Sequence, residues 1–278
     1  MQSLEKERQK MQRGKPPEGY LTATQAKRML GGISDGLLKT YVDRHFLERL
    51  VPTGRRQGFY NQTDVRKLAK ELDSFPSAQS NHPGDRFQQA KEQDIPGAVE
   101  LLIDVFGGGN SSQKRIEWMK KNPEIAFVLK SKDAINGVIF VIPLTKERNE
   151  EIFALPHSAS TRVITTQDIQ PYLPNYPVSL YIASFAVRPG LSPQVKAARG
   201  SLLLRGLYTH FIDLGKRGII LEQITGRSDT KDGINLLKKM GFTEIEPVGT
   251  NRNFLIDVAR SGIPSILRYK EALSSAMV

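Results

Sequence analysis

The side chains with chemistry to offer fall into two sets. Glu222, in the apolar run GIILEQIT, is a carboxylate on a strand-like pattern and could withdraw a proton, while Tyr181 and Ser184 in VSLYIASFAV could return one. In RGSLLL, Arg199, Gly200 and Ser201 stand at the expected start of a helix, where unpaired backbone N–H groups and the positive end of the helix dipole suit a phosphate. The second set is cationic. Lys39, Arg44, Arg55 and Arg56 crowd a short N-terminal stretch, where lysine and arginine can neutralise a phosphate backbone. Absence of cysteine excludes thiolate catalysis, disulfides and cysteine zinc sites, and His45, His82, His157 and His210 are too far apart for a local metal motif, so no metal is expected.

Composition bounds where these groups act. The 278 residues carry 40 Lys and Arg against 29 Asp and Glu, a net +11, and residues 1–75 hold 15 of the basic and 9 of the acidic side chains. More than half of the excess lies in that first part, which points to it as the contact for a polyanion. Hydrophobic residues make up 39%, enough for buried cores. No purely apolar run is longer than that from Val138 to Ile142, which is too short to cross a bilayer, and the charged opening MQSLEKERQKMQRGK is unlike a secretory leader. A cytoplasmic protein without membrane contact is the expectation.

The length suggests two domains, and SFPSAQSNHPG reads as the linker between them. The expected division is a flexible arm at 1–18, a first domain at 19–73, the linker at 74–84 and a second domain at 85–278. In LTATQAKRML, Thr22 or Thr24 can cap a helix that Gly31-Gly32 stops; Ser34 caps a second with Leu37, Leu38, Tyr41 and Val42 on its buried stripe. A hairpin follows around Thr53 to Gly58, then a helix from Asp64 to Leu72 capped by Asn61 or Thr63. TATQAKRML, ISDGLLKTYV and GFYNQTDVRKL in this order resemble the MerR-type winged helix-turn-helix and its excisionase-like relatives. The resemblance implies a mainly α domain that binds DNA, with Lys39, Tyr41 and Arg44 on the recognition helix and Arg55 and Arg56 on the wing. It also leaves open a homodimer over two half-sites. Read from the residues alone, a small basic helical domain for protein contacts is the alternative.

Beyond the linker, apolar runs alternate with helical patterns. A strand leads to Asp94 as helix cap and a helix through Phe106; a helix around Trp118 ends at Pro123; IAFVLK and INGVIFVIPL pair antiparallel through SKDA. The connection from Thr145 to Pro177 is long enough to contain a short helix, expected near Asp168. Then come the central strand VSLYIASFAV, the helix SLLLRGLYTHFIDL, the strand GIILEQIT, a helix from Thr230 to Met240 and two last strands. RFQQAKEQDIPGAVELL, FAVRPGLSPQVKAARGSLLLRGL and DGINLLKKMGF resemble the GNAT-type N-acetyltransferase fold over about 170 residues. That resemblance implies a mixed α/β sheet flanked by helices, acetyl-CoA or another acyl-CoA as cofactor, and an amine as acyl acceptor. It places Val187, Ala198, Arg199, Gly200, Ser201 and Thr230 around the cofactor and gives Glu222 and Tyr181 the proton transfers. The chain departs from the pattern with Val195 and Ala198 at two landmarks of the phosphate loop and Leu237 where the family often has an acidic Tyr. Two functions follow as expectations: a DNA-binding acyltransferase, or a DNA-binding transcriptional regulator whose GNAT-like domain is a non-catalytic sensor or dimerisation module.

Overall fold

A computed structural model of the chain describes residues 16–30, 33, 35–43, 45–52, 57–77, 84–108, 110–155, 161–248 and 251–277. The chain divides into two compact units, Met1–Ser77 with Gly262–Pro264, and Ala78–Ser261 with Ser265–Val278. Among the described residues no helix is long and apolar enough to cross a membrane.

The first unit contains β1 (Tyr20–Leu21), α1 (Ala23–Met29), α2 (Asp35–Asp43), β2 (Arg49–Leu50), β3 (Phe59–Asn61) and α3 (Gln62–Ser77). Thr22 caps α1 through a reciprocal capping box with Gln25. α2 ends where His45 takes φ of +59°, letting the His45 and Phe46 N–H groups bond the carbonyls of Val42 and Tyr41. β3 pairs antiparallel with β1 on one side and β2 on the other. Leu21, Ala26, Leu30, Leu38, Tyr41, Leu47, Tyr60, Val65 and Leu68 form the core. Asn61 is the cap of α3, its Oδ1 accepting from the Thr63 and Asp64 N–H groups. α3 runs to Ser77 instead of stopping at Leu72, because Phe75 continues the three-to-four spacing from Val65, Leu68 and Leu72; Ser74–Ser77 are helix and not linker. The expected arm through residue 15, the expected wing tip at 53–56 and the expected linker residues 78–83 lie outside the described residues.

The second unit is a seven-stranded mixed sheet flanked by helices. Its elements are β4 (Arg86–Gln89), α4 (Ile95–Phe106), α5 (Ser112–Lys121), β5 (Ala126–Ser131), β6 (Ala134–Leu144), α6 (Lys146–Ala154), β7 (Pro177–Val187), α7 (Pro193–Lys216), β8 (Ile220–Ser228), α8 (Lys231–Lys239), β9 (Thr243–Val248), β10 (Asn251–Asp257) and α9 (Pro264–Ala276). The strand order is β4-β5-β6-β7-β8-β10-β9, and every neighbouring pair is antiparallel except β7 and β8. β6 is covered on both faces, which is why it reads as an almost unbroken apolar run. Alternation sends Val138, Phe140, Ile142 and Leu144 into one core with Val99, Leu102, Trp118, Phe153 and Tyr181. α7 covers the opposite face. There a Cβ on Gly137 would meet Leu203, and one on Gly206 would overlap the Phe87 ring, so both glycines let the helix sit close against the sheet.

Four local expectations change. α7 starts at Pro193, not beside Ser201: Ser192 is its N-cap, proline occupies the first turn, and Gln194, Lys196, Ala197 and Ala198 are good helix formers that extend it backwards. The helix in the long connection is α6, capped by Thr145 directly after β6. Asp168 instead sits in a turn, accepting from the Thr165 backbone and Arg148. Asp94 precedes α4 but makes no capping bond to it; its buried carboxylate takes the Lys91 N–H and Lys130 Nζ. α9 adds an element past the last strand, docked so that Tyr269 Oη bonds the Ile219 carbonyl and the Leu221 N–H.

Candidate functional site

β7 and β8 pair from Pro177–Ile220 to Ile182–Gly226 and no further. Beyond that point β7 continues to Val187 against β6 alone, and β8 continues to Ser228 against β10 alone. The two strands therefore part, leaving main-chain polar groups of Ala183–Val187 facing an opening in the sheet instead of a neighbour.

On the α7 face of this opening, Leu237 of α8 packs over Gly226, where its Cδ2 would lie 3.1 Å from an added Cβ. At the mouth stand the first turns of two helices. Ser192 Oγ accepts the Val195 N–H, and Thr230 Oγ1 accepts the Gly233 N–H, each satisfying an otherwise unpaired donor. Lys196 Nζ reaches Asp232 Oδ2 at 2.8 Å, joining the start of α7 to that of α8. This bond holds the Asp232 carboxyl below its ordinary range. Arg188, just after β7, is turned away to the Ile135 carbonyl.

The opposite face carries two guanidinium groups. Arg227, the residue after Gly226, donates to the carbonyls of Ile152, Phe153 and Leu155 and so closes the C-terminal end of α6, stacking 4.7 Å from the Phe153 ring. Tyr181 meets the same Phe153 edge-on at 6.5 Å. Thr225 Oγ1 donates to Asn149 Oδ1 at 2.9 Å. Arg115 of α5 lies 4.0 Å from the Phe140 ring, and burial alone pulls it down to about 10.

The expected site residues separate on this frame. Val187 ends the unpaired stretch of β7, Tyr181 is buried one residue before the last β7–β8 pair, and Thr230 caps α8. Ala198, Arg199, Gly200 and Ser201 do not form a helix start, because they fall inside α7, where intrahelical bonds already use the backbone N–H groups. Arg199 is also spoken for: its Nε lies 2.8 Å from Asp85 Oδ2, and Asn136 holds the other carboxylate oxygen. Glu222 is four residues before Gly226, at the other end of β8. It lines a groove of about 360 Å³ with Thr145, Lys146, Gln170 and Tyr176. In the first unit Lys39 is exposed on α2, whereas Tyr41 is 2% exposed and packs edge-on to Phe46 in the core, removing it from any surface contact. Arg44, Arg55 and Arg56 lie outside the described residues.

Arg115, Arg227, Lys196 and Asp232 were not singled out by the sequence. Arg115 left one signal: it precedes Trp118 by three residues, on a helical stripe otherwise filled by Trp118 and Met119. Among the described residues no group of His, Asp or Glu could hold a metal ion.

No protein-family model and no curated protein matches the chain. Similar solved structures include Ard1 from Thermoplasma volcanium, at 10% identity, covering 62% of this chain and 97% of that one with a TM-score of 0.40. Arabidopsis thaliana Naa50 in complex with the bisubstrate analogue CoA-Ac-MVNAL is similar at 14% identity, 62% and 97% coverage and a TM-score of 0.40. The GNAT-like decarboxylase GphF in complex with isobutyryl-CoA is similar at 18% identity, 55% and 71% coverage and a TM-score of 0.38.

Proposed function

We propose that the second unit binds an acyl-CoA in the opening between β7 and β8 and presents the acyl group to an amine. The observation that carries this reading is the parting of the strands after Ile182–Gly226, since it leaves a free strand edge for an extended, amide-bearing chain. When bound, the cofactor supplies an activated thioester. The residues of this chain do the rest. Backbone donors of β7 beyond Ile182 hold and polarise the carbonyl. Lys196, released from Asp232, neutralises phosphate at the mouth, which moves the cradle from Ser201 to the true start of α7 at Ser192. Tyr181, beside the last strand pair, is the better placed of the two proton-handling residues, and Glu222 belongs to the distant groove. Calorimetric titration of the full chain with acetyl-CoA tests the binding, and thiol release with a mixed amine panel tests turnover.

A second reading has its own support. Leu237 fills the position over Gly226 with an apolar side chain that has no proton to give. In that reading the acyl-CoA is sensed and not consumed; saturable binding without thiol release is its signature.

For the first unit we propose a winged helix-turn-helix that grips DNA. α2 enters the major groove with Lys39 outward, and Arg44, Arg55 and Arg56 add phosphate contacts. With about four phosphates neutralised, log affinity should fall by roughly 3.6 per log unit of salt, and Lys39→Glu should cut binding and flatten that slope. A salt-independent gel shift, or none at all, returns the unit to a protein-contact role.

A further inference from the structure

Arg115 is 3% exposed, yet no described group bonds its Nε or Nη1. Carboxylates do exist on the elements around it. Glu100 and Asp104 on α4 and Glu117 on α5 all face outward into solvent, and Lys114 beside it is another cation, bonded to the Arg162 carbonyl. Among the described residues its side chain meets ring faces: Phe140 at 4.0 Å and Trp118 at 5.9 Å from the guanidinium carbon. Stacking offsets part of the cost of burying a charge but leaves the donors unused. An arginine cannot escape by shedding its proton at neutral pH, so Nε and Nη1, one on each donating edge of a planar guanidinium, are buried charged donors without an acceptor among the described residues.

Its place in the sheet says what acceptor would complete it. Phe140 pairs directly with Ser184, and directly opposed residues project to the same face. Ser184 is the second residue of β7 after the last pair with β8. The guanidinium therefore lies against a β6 side chain whose partner on β7 sits where the opening begins, one strand from where the reacting end of an acyl-CoA would reach. We propose that Arg115 is the anchor for a carboxylate on the bound ligand, carried either by the far end of a dicarboxylic acyl group or by the acceptor amine. The assignment rests on the acyl-CoA reading for its source of ligand, not for its chemistry, since a guanidinium fork and a carboxylate match bidentately whatever brings them together.

The experiment uses the full chain and four classes of probe, read by calorimetry and thermal shift. Succinyl-CoA against acetyl-CoA tests the acyl source; each amino acid against its own carboxamide, with coenzyme A present, tests the acceptor source. A preference of about tenfold or more for the carboxylate-bearing probe in one arm, falling toward unity in Arg115→Met, is the expected result and names the source. Binding of acetyl-CoA with no carboxylate preference in either arm overturns the proposal and leaves the cofactor reading standing. Carboxylate-dependent shifts without any acetyl-CoA binding sustain Arg115 and sink the cofactor reading; no response to any probe sinks both. Should Arg115→Met fail to fold, the wild-type arms still decide, and Arg115→Lys, which keeps the charge but not the fork, must lose the preference.

Discussion

Three bases in the second unit, Arg115 and His210 buried and Arg227 half-buried, meet the same difficulty in different ways. Arg227 gives its two Nη groups to the carbonyls of Ile152, Phe153 and Leu155, while its Nε has no partner among the described residues. His210, on the other side of the sheet, gives up its charge: burial pushes it down to about 4, with Glu124 pulling it up and Arg217 pushing it further down. Arg115 does neither. A folded chain keeps polar groups buried when they are satisfied or neutral, so the first two are explained by the fold itself, and the third is explained by something the fold receives.

The contrast breaks most sharply on Arg227. Replacing it with Met removes a charged donor set and strands the last carbonyls of α6, so stability of the second unit should fall by about 4 kcal/mol. Trp118, the only tryptophan and fully buried in that unit, reports the transition by fluorescence in a urea titration. A loss below about 1 kcal/mol would mean that the cap is ornamental and that Arg227 resembles Arg115. For Arg115→Met the sign should reverse. Exchanging an unpaired buried cation for an apolar side chain of similar length should raise stability by about 1–3 kcal/mol, followed by circular dichroism because the substitution touches the tryptophan. If both substitutions destabilise equally, the distinction between them is lost.

His210 sharpens the comparison through pH. Its ring packs 4.7 Å from Phe127 and 5.8 Å from Tyr172, with Glu124 Oε2 3.8 Å from Nδ1. A folded value of about 4 against an ordinary 6.5 means that the unfolded chain takes up the proton first. This contribution is therefore neutral above pH 6.5, and stability falls as pH drops from there toward 4, by about 3 kcal/mol in all. His210→Phe should flatten the slope in that window; an unchanged slope would place the titration elsewhere.

How far the sequence discloses these roles depends on the range of the interaction. Caps are local, and Thr22 and Thr230 announce themselves three residues ahead of the N–H groups they satisfy. Buried strands are nearly local, and the runs around Val138 and Leu180 read as they fold. The start of α7 misled because Gly200-Ser201 draws the eye to a glycine loop, while Ser192-Pro193, a stronger start signal, lies eight residues earlier. α6 and α9 are short patterns that become helices by packing against strands far along the chain. Arg115 and Arg227 were illegible for a deeper reason. Whether a guanidinium is satisfied depends on carbonyls some 72 to 75 residues away for Arg227, and on their absence for Arg115.

The smallest effect concerns charges that are not buried at all. Lys196 and Asp232 are 56% and 79% exposed, so solvent screens their attraction and Asp232→Asn should leave the unfolding midpoint where it is. Their value would lie in what they deny to a ligand. A polyphosphate at the mouth must draw Lys196 away from Asp232 and then sit beside that carboxylate, so removing the carboxylate should tighten acetyl-CoA binding by about threefold at low salt and by less as salt rises. Lys196→Glu should weaken it by about tenfold under the same conditions. Calorimetry on the two variants reverses the pattern of Arg227 and His210, where stability moves with the fold and affinity is secondary. If neither affinity responds while acetyl-CoA still binds, the phosphates do not enter between the starts of α7 and α8, and the opening between β7 and β8 must be reached from the face that carries Arg115.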